Sequence, residues 1–428
     1  MLHLLHYLQL QKALSAYSAT IEWLFDRLPM FQRQGGAAYK MDLSRTEALC
    51  AHLGHPEKGL RVIHIAGTNG KGSLSHMWAA ALQQHGYTTG LFTSPHLKDF
   101  RERIRINGAP IPAASLRQRL IDLKPISHQH RLTPFEQLLA VAFDHFRAHA
   151  VELMVLEVGL GGRLDATTAH PHRPVIAMAA IGLDHCEHLG DTLAAISQEK
   201  GAVISNGATV ISAEQHPEVR GVLEGICLER SARLHWVDPL PESWQLGLPG
   251  AVQRSNAAVA LGALQALAEL GWDLPTSAIQ AGFAETSWAG RLQTVRWRGL
   301  PLRLDGAHNP PAAEQLALER LHWPAQEQGV TWLLAIQAHK QAKAMVRALL
   351  QPSDRAWIVP VPGHCSWTRT ALLELNPGWQ GQLHQEDDAE SALMQIKAEG
   401  HWNDAMPVVA GSLYLLGDLF RRNLVTAE

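Results

Sequence analysis

Lys71 and Ser73 sit in the run Arg61-Val-Ile-His-Ile-Ala-Gly-Thr-Asn-Gly-Lys-Gly-Ser73, where glycines separate a cation from a hydroxyl. The apolar residues Val62, Ile63, Ile65 and Ala66 read as a strand. Leu74, Met77, Trp78, Ala81 and Leu82 fall at i, i+3, i+4, i+7 and i+8, so an amphipathic helix comes next and should end near Gly86. Strand, glycine loop and helix together build an anion cradle over Gly67, Thr68, Asn69, Gly70, Lys71, Gly72 and Ser73. Unpaired backbone N–H groups, the helix dipole and the Lys71 ammonium converge there, a combination suited to phosphates. The standard phosphate-loop spacing would put glycine at Ile65 and a hydroxyl at Gly72. Here the hydroxyl that would meet the nucleotide's magnesium comes one residue later, at Ser73.

Three other positions carry chemistry of the same kind. Ser94 lies just after a strand over 88–92, in a loop at the carboxyl end of a strand where an open α/β sheet binds ligands. A hydroxyl there suits Mg²⁺, which takes hard oxygen ligands. Glu157 ends a near-continuous apolar run, Leu153 to Leu156, that reads as a central parallel strand buried on both faces. Its charge would be costly to bury without a partner, and a metal ion would supply one. Asp305, also at a strand end, can hold ribose hydroxyls or cap the next helix. Asn256 fits the start of a helix and could equally be a cap, Thr133 with Glu136 forms a capping box, and Arg163 and Asp165 could bind substrate or each other.

The form Gly-Thr-Asn-Gly-Lys-Gly-Ser resembles the nucleotide loop of the Mur ligase superfamily. Thr93-Ser-Pro-His-Leu97 with Phe100-Arg-Glu-Arg-Ile-Arg-Ile-Asn-Gly108, Glu157-Val-Gly-Leu-Gly-Gly-Arg-Leu-Asp-Ala-Thr167, Asp305-Gly-Ala-His-Asn-Pro310 and Gly411-Ser-Leu-Tyr-Leu-Leu-Gly417 are similar to its folate branch, dihydrofolate synthase and folylpolyglutamate synthase. The resemblance runs from Tyr17 to Leu419. It implies an ATP-dependent amide ligase that adds L-glutamate to dihydropteroate and to the glutamate tail of reduced folates through an acyl phosphate. It also implies two magnesium ions, with Ser73, Ser94 and Glu157 as ligands and His185, in Ile181-Gly-Leu-Asp-His185, on the second ion. Lys200 matches a lysine that is commonly carbamylated. Asn256 faces the nucleotide base, and Arg291 and Asp305 contact ATP across a cleft. Thr133, Leu164, Asp165 and Ala166 line the pteroate, and His308 and Asn309 line the glutamate side. Lys71, Lys200 and His308 are the implied catalytic residues.

The pattern is broken in places. Val252 stands where the family has histidine, His339-Lys340-Gln341 replaces an Asp-Lys-Asp string, Trp288-Ala-Gly-Arg291 has alanine for proline, and the turn after Lys200 differs. Three alternatives stay open: another Mur-type amino-acid ligase acting on cell-wall precursors, a non-ligase ATPase module, and a degenerate relative that has lost activity, which Val252, Gln341 and the altered turn after Lys200 keep alive.

To position these residues the chain needs two α/β units, which suits 428 residues at roughly 100 to 200 per domain. The expected fold is an N-terminal doubly wound, mostly parallel sheet over 18–290, with the phosphate loop, and a smaller Rossmann-like α/β domain over 291–428. Residues 1–17 read as an extension and not as a signal peptide, since no basic region precedes their leucines. A formal charge of −3 gives no reason to expect nucleic acid or a membrane surface as partner. Four separated cysteines, with no C-x-x-C pair, fit a reducing cytoplasm. The expected protein is a cytoplasmic monomer acting on small molecules.

Overall fold

The computed structural model describes residues 17–24, 42–323, 328–400, 402 and 405–427. The run from Arg61 to Ala66 is strand β1, and its buried residues leave it no wet face. It lies at the centre of an eight-stranded sheet ordered β4-β3-β2-β5-β1-β6-β7-β8. The other strands are β2 (Thr89–Phe92), β3 (Ile104–Ile106), β4 (Ala109–Pro110), β5 (Leu153–Glu157), β6 (Val175–Met178), β7 (Thr209–Ala213) and β8 (Arg233–Val237). Strands β2, β5, β1, β6, β7 and β8 run parallel, whereas β3 and β4 add an antiparallel edge. After β1 the chain winds out to β2 and back to β5, and after β6 it winds the other way. The strand order therefore reverses beside β1, where an open sheet presents a crevice at its carboxyl ends.

The register sets Ile65 level with Glu157, so the carboxylate emerges at the level of the phosphate loop. The helix Lys71–His85 begins directly on the loop, three residues before its apolar stripe, and ends at Gly86 in the left-handed region. It packs on the helix Thr276–Glu285, where Gly282 lies so near Ala81 that a Cβ would collide with that backbone.

The second sheet has seven strands ordered β13-β12-β11-β14-β10-β9-β15. They are β9 (Gln293–Trp297), β10 (Leu300–Leu304), β11 (Thr331–Leu334), β12 (Arg355–Ile358), β13 (Leu383–Gln385), β14 (Val408–Ala410) and β15 (Thr426–Ala427). Its parallel part matches the expected alternation, while the β9–β10 hairpin and the β15 edge are antiparallel. Two mixed α/β sheets with covering helices thus carry the molecule.

Three local expectations change. The sequence places Thr20 as the cap of a short helix through Leu28, but residues 17–24 are helical, so Thr20 lies inside that helix and does not cap it. Leu28 lies outside the described residues, as do 1–16 of the extension. Asn256 sits in the second turn of the helix Val252–Glu269, which rules out an N-cap role. The helix Pro310–Glu319 is capped by Asn309, not by Asp305.

Candidate active site

The phosphate loop is stitched to the end of β6. The N–H groups of Thr68 and Asn69 donate to the Ala180 carbonyl at 2.8 and 3.1 Å, and the Thr68 hydroxyl donates to Gly182 O at 3.1 Å. Gly67 has φ 139°, and a Cβ there would collide with Ala179, so only glycine lets the loop lie this close. Lys71 folds back over the loop, donating to the carbonyls of Gly67 and Thr68 at 3.1 Å each. Ser73 is buried in the first helical turn. Asn256 reaches the loop from its own helix: a Cβ on Gly70 would lie 2.5 Å from its Oδ1, and its amide donates to Gln253 Oε1 at 2.9 Å.

Two buried titratable groups face this loop. Lys200, near the end of the helix Leu193–Gly201, is 4% exposed and donates to the Gly67 carbonyl at 2.9 Å. Burial, and then the Lys71 charge, bring its pKa down to about 7, so a neutral amine is accessible near neutrality. Glu157 is 3% exposed, and its contact is the Ser94 N–H at 3.4 Å. Burial pushes its carboxyl up to about 7 against the pull of Lys71. Among the described residues no three His, Cys, Asp or Glu side chains converge as a ready metal cage. Mg²⁺ needs no such cage, because it keeps waters and phosphate oxygens and takes one or two carboxylates. The hydroxyls of Ser73 and Ser94 and the under-compensated carboxyl of Glu157 fit that demand. The His185 ring, held neutral near pKa 3 by burial, keeps a lone pair to offer.

The glycine-rich stretch after Glu157 shows what Asp165 does. Its carboxylate accepts from the N–H groups of Gly159 and Leu160 at 3.1 and 2.9 Å, and from the Thr167 N–H and hydroxyl at 3.0 and 2.5 Å. The Thr167 hydroxyl in turn meets His64 Nε2 at 2.9 Å. Asp165 therefore shapes the loop, and Arg163 pairs with Glu199 at 2.8 Å, not with Asp165. Leu164 is half-buried and Ala166 buried at the same bend. Thr133 caps the helix Pro134–Ala148 with its capping box complete, and Arg45 stands 3.6 Å from Glu136.

Across the cleft, Asp305 accepts from the N–H groups of Leu292 and Ala307 at 3.0 and 2.9 Å, which pins the crossing between the sheets. Burial raises its pKa while the Arg291 guanidinium opposes that rise. His308 turns Nδ1 to Gly306 O at 2.8 Å, and burial, followed by the Lys340 charge, brings it down to about pKa 4 against the opposing pull of Asp184 and that hydrogen bond. Asn309 is fully buried, exchanges amide hydrogen bonds with Asn69 at 3.0 and 3.1 Å, and donates to Asp184 Oδ2 at 2.8 Å. Asp184 also pairs with Lys340 at 2.6 Å. Burial alone would raise the Asp184 pKa, but His185, Lys340 and His308 hold it well below the carboxylate range, Lys340 being the group in direct contact.

Asp184 and Lys340 carry no assignment in the sequence reading, although Asp184 adjoins His185 and Lys340 is the lysine left in the altered string. Trp288 and His76 were also missed: the rings stack at 3.7 Å, with the indole beside Gly72. Nothing in their spacing signals that contact.

With this geometry in hand, the relatives are informative. A yeast protein, dihydrofolate synthetase of Saccharomyces cerevisiae, is 34% identical over 421 residues, covering 90% of this chain and 98% of its own. The chain belongs to the dihydrofolate synthetase and folylpolyglutamate synthase family. The dihydrofolate synthase/folylpolyglutamate synthase of Bacillus subtilis is 35% identical over 337 residues, covering 71% of this chain and 76% of its own. Residues 290–422 match the family model for the dihydrofolate synthetase C-terminal domain. The folylpolyglutamate synthase of Mycobacterium tuberculosis, solved with ADP and AMPPCP, superposes with a TM-score of 0.84 at 26% identity, covering 96% of this chain and 99% of its own. No described helix is long and apolar enough to cross a membrane.

Proposed function

We propose that the chain is an ATP-dependent amide ligase that joins L-glutamate to dihydropteroate and to the glutamate tail of reduced folates. The observation that carries this reading is the phosphate loop with Lys71, Lys200 and Glu157 gathered at the carboxyl ends of β1 and β5, in a chain of this family. The γ-phosphoryl group of ATP passes to the substrate carboxylate, giving an acyl phosphate and ADP. The glutamate amine then attacks the acyl carbon, and phosphate leaves.

Catalysis of phosphoryl transfer is mostly positioning and charge stabilisation. Lys71 would leave the loop carbonyls for the transferring phosphoryl oxygens, and the backbone of Gly67 to Gly72 would hold the remaining phosphates. Two magnesium ions, held by Ser73, Ser94 and Glu157 and by His185, would neutralise charge on the phosphate chain. A carbamylated Lys200 would present an anion to that site, and its depressed pKa supports the modification. Asn256, Arg291 and Asp305 would take the nucleoside. Thr133, Leu164, Asp165 and Ala166 would flank the pteroate, Asp165 by shaping the loop, and His308 and Asn309 would border the incoming glutamate.

We place the domain boundary at 290/291, between β8 of one sheet and β9 of the other, and read the enzyme as a cytoplasmic monomer. Phosphate release with Mg-ATP and L-glutamate tests the function, offering dihydropteroate in one tube and tetrahydrofolate in another. Turnover with both supports the two-step enzyme, turnover with one assigns a single step, and silence in both sinks the reading.

A further inference from the structure

Between the phosphate loop and the second sheet runs a chain of polar contacts that none of the assigned roles requires. Asn69 and Asn309 exchange side-chain amide hydrogen bonds, Asn309 donates onward to Asp184, and Asp184 closes on Lys340 at 2.6 Å. Asp184 and Asn69 belong to loops of the first sheet, Asn309 and Lys340 to loops after β10 and β11 of the second. Asn309, Asp184 and Lys340 are each less than 9% exposed, so the chain lies inside the seam. Asn309 is also tied to its own helix, because its Oδ1 accepts from the Ala312 N–H at 3.0 Å. A movement of the second domain away from the first would break three amide hydrogen bonds and separate a buried ion pair at once.

We propose that Lys340 and Asp184, joined through Asn309 to Asn69, form an interdomain clasp that keeps the cleft shut while the acyl phosphate waits for the amine. This rests on the ligase reading above. The chemistry asks for such a device: water adding to the acyl phosphate returns the free carboxylate and releases phosphate, so that an ATP is lost without an amide being made. The contacts suit a reversible closure better than a permanent one. They are directional and few, and each group would be rehydrated on opening, whereas an apolar seam would resist separation. Asn69 links closure to nucleotide, because it belongs to the loop that would hold the phosphates. Lys340 is thus a positioning residue acting through Asp184, and Asn309 adds to its proposed place beside the glutamate a positioning role through Asn69 and Asp184.

The test compares wild type with Lys340→Met and Asn309→Ser in a coupled measurement of phosphate released per glutamate incorporated. Serine retains the cap on Ala312 N but loses both amide bridges, so the second variant keeps the helix if the first fails to fold. Wild type should release close to one phosphate per amide, and each variant several-fold more, with the KM for ATP little changed. Hydrogen exchange, read without substrate turnover, should be at least tenfold faster at backbone amides 68–70 and 182–189 in both variants. A wild type with no ligase activity would overturn the ligase reading, with the exchange data still judging the clasp. Variants that fold, turn over with an unchanged ratio and exchange at the wild-type rate would overturn the clasp alone.

Discussion

Glu157→Gln should make the metal-free protein more stable while disabling it. The carboxyl ends β5, is 3% exposed and receives one long hydrogen bond from Ser94 N–H. Its pKa rises from 4.5 to about 7, chiefly through burial, so that ionised Glu157 is disfavoured in the folded chain. At about 1.4 kcal/mol per unit, a shift of that size corresponds to roughly 3 kcal/mol. The sign comes from linkage. With its pKa raised on folding, the group's stabilising contribution is fully present below about pH 4.5, falls as pH rises, and is lost once pH passes the folded value near 7. Glutamine removes the ionisation. The variant should match wild type near pH 4 and exceed it near pH 8 by up to about 3 kcal/mol, several degrees in melting temperature for a chain of this size. Urea and thermal melts at the two pH values, with and without millimolar Mg²⁺, measure this. Magnesium should raise the wild-type melting point near pH 8 and leave the variant's unmoved. A variant no more stable than wild type near pH 8 would refute the argument that burial strains this carboxylate.

Lys71→Ala should abolish turnover and leave the melting curve within a degree or two of wild type; retained activity above about a tenth would sink its assigned role on the transferring phosphoryl group. Lys200 should bind CO₂: ¹³C NMR with labelled bicarbonate should show a carbamate signal that grows as pH rises through about 7, where the amine loses its proton, and that Lys200→Met abolishes. A signal independent of pH would contradict the depressed pKa. Gly282→Ala should cost about 1 to 3 kcal/mol by forcing apart the helices Lys71–His85 and Thr276–Glu285, measured by urea unfolding. A wild-type midpoint would mean the helices shift apart freely.

Most of the first sheet was legible because its central strands advertise themselves. Val62 to Ala66 and Leu153 to Leu156 are too apolar to sit anywhere except between two helical layers, and the glycine loop announces a helix directly after β1. The antiparallel pieces were not. Strand β9 reads Gln-Thr-Val-Arg-Trp with alternating burial, and the two residues that separate it from β10, Arg298 and Gly299, give a hairpin that a βα rhythm does not anticipate. Lys71 stands out by its place in the glycine loop and Glu157 by its charge at the end of an apolar run, whereas Lys200 is singled out only by the family resemblance. Lys71 and Lys200 both donate to the Gly67 carbonyl, and Glu157 accepts from Ser94 N–H. Asp165 was ambiguous because a carboxylate that binds substrate and one that folds its own loop look alike in one dimension. Lys340 meets Asp184 across 156 residues. No local pattern encodes a contact of that span, and it becomes visible only when both sheets are in place.

Leu97 carries a lesson about modularity. It belongs to the loop that holds Ser94, yet it is buried among the core residues of the second sheet, beside Leu415, Leu416 and Leu419. Gly417 leaves room for it, since a Cβ there would overlap the Leu97 carbonyl, and Arg421 donates to that carbonyl at 3.4 Å. The loop that carries Ser94 in the first domain is therefore rooted in the second. A chimera that exchanges residues 291–428 between two family members would graft a new socket against an old peg. Ser94 should be misplaced in it unless residues 94–103 travel with the graft, so the recombination unit at this site is discontinuous in sequence.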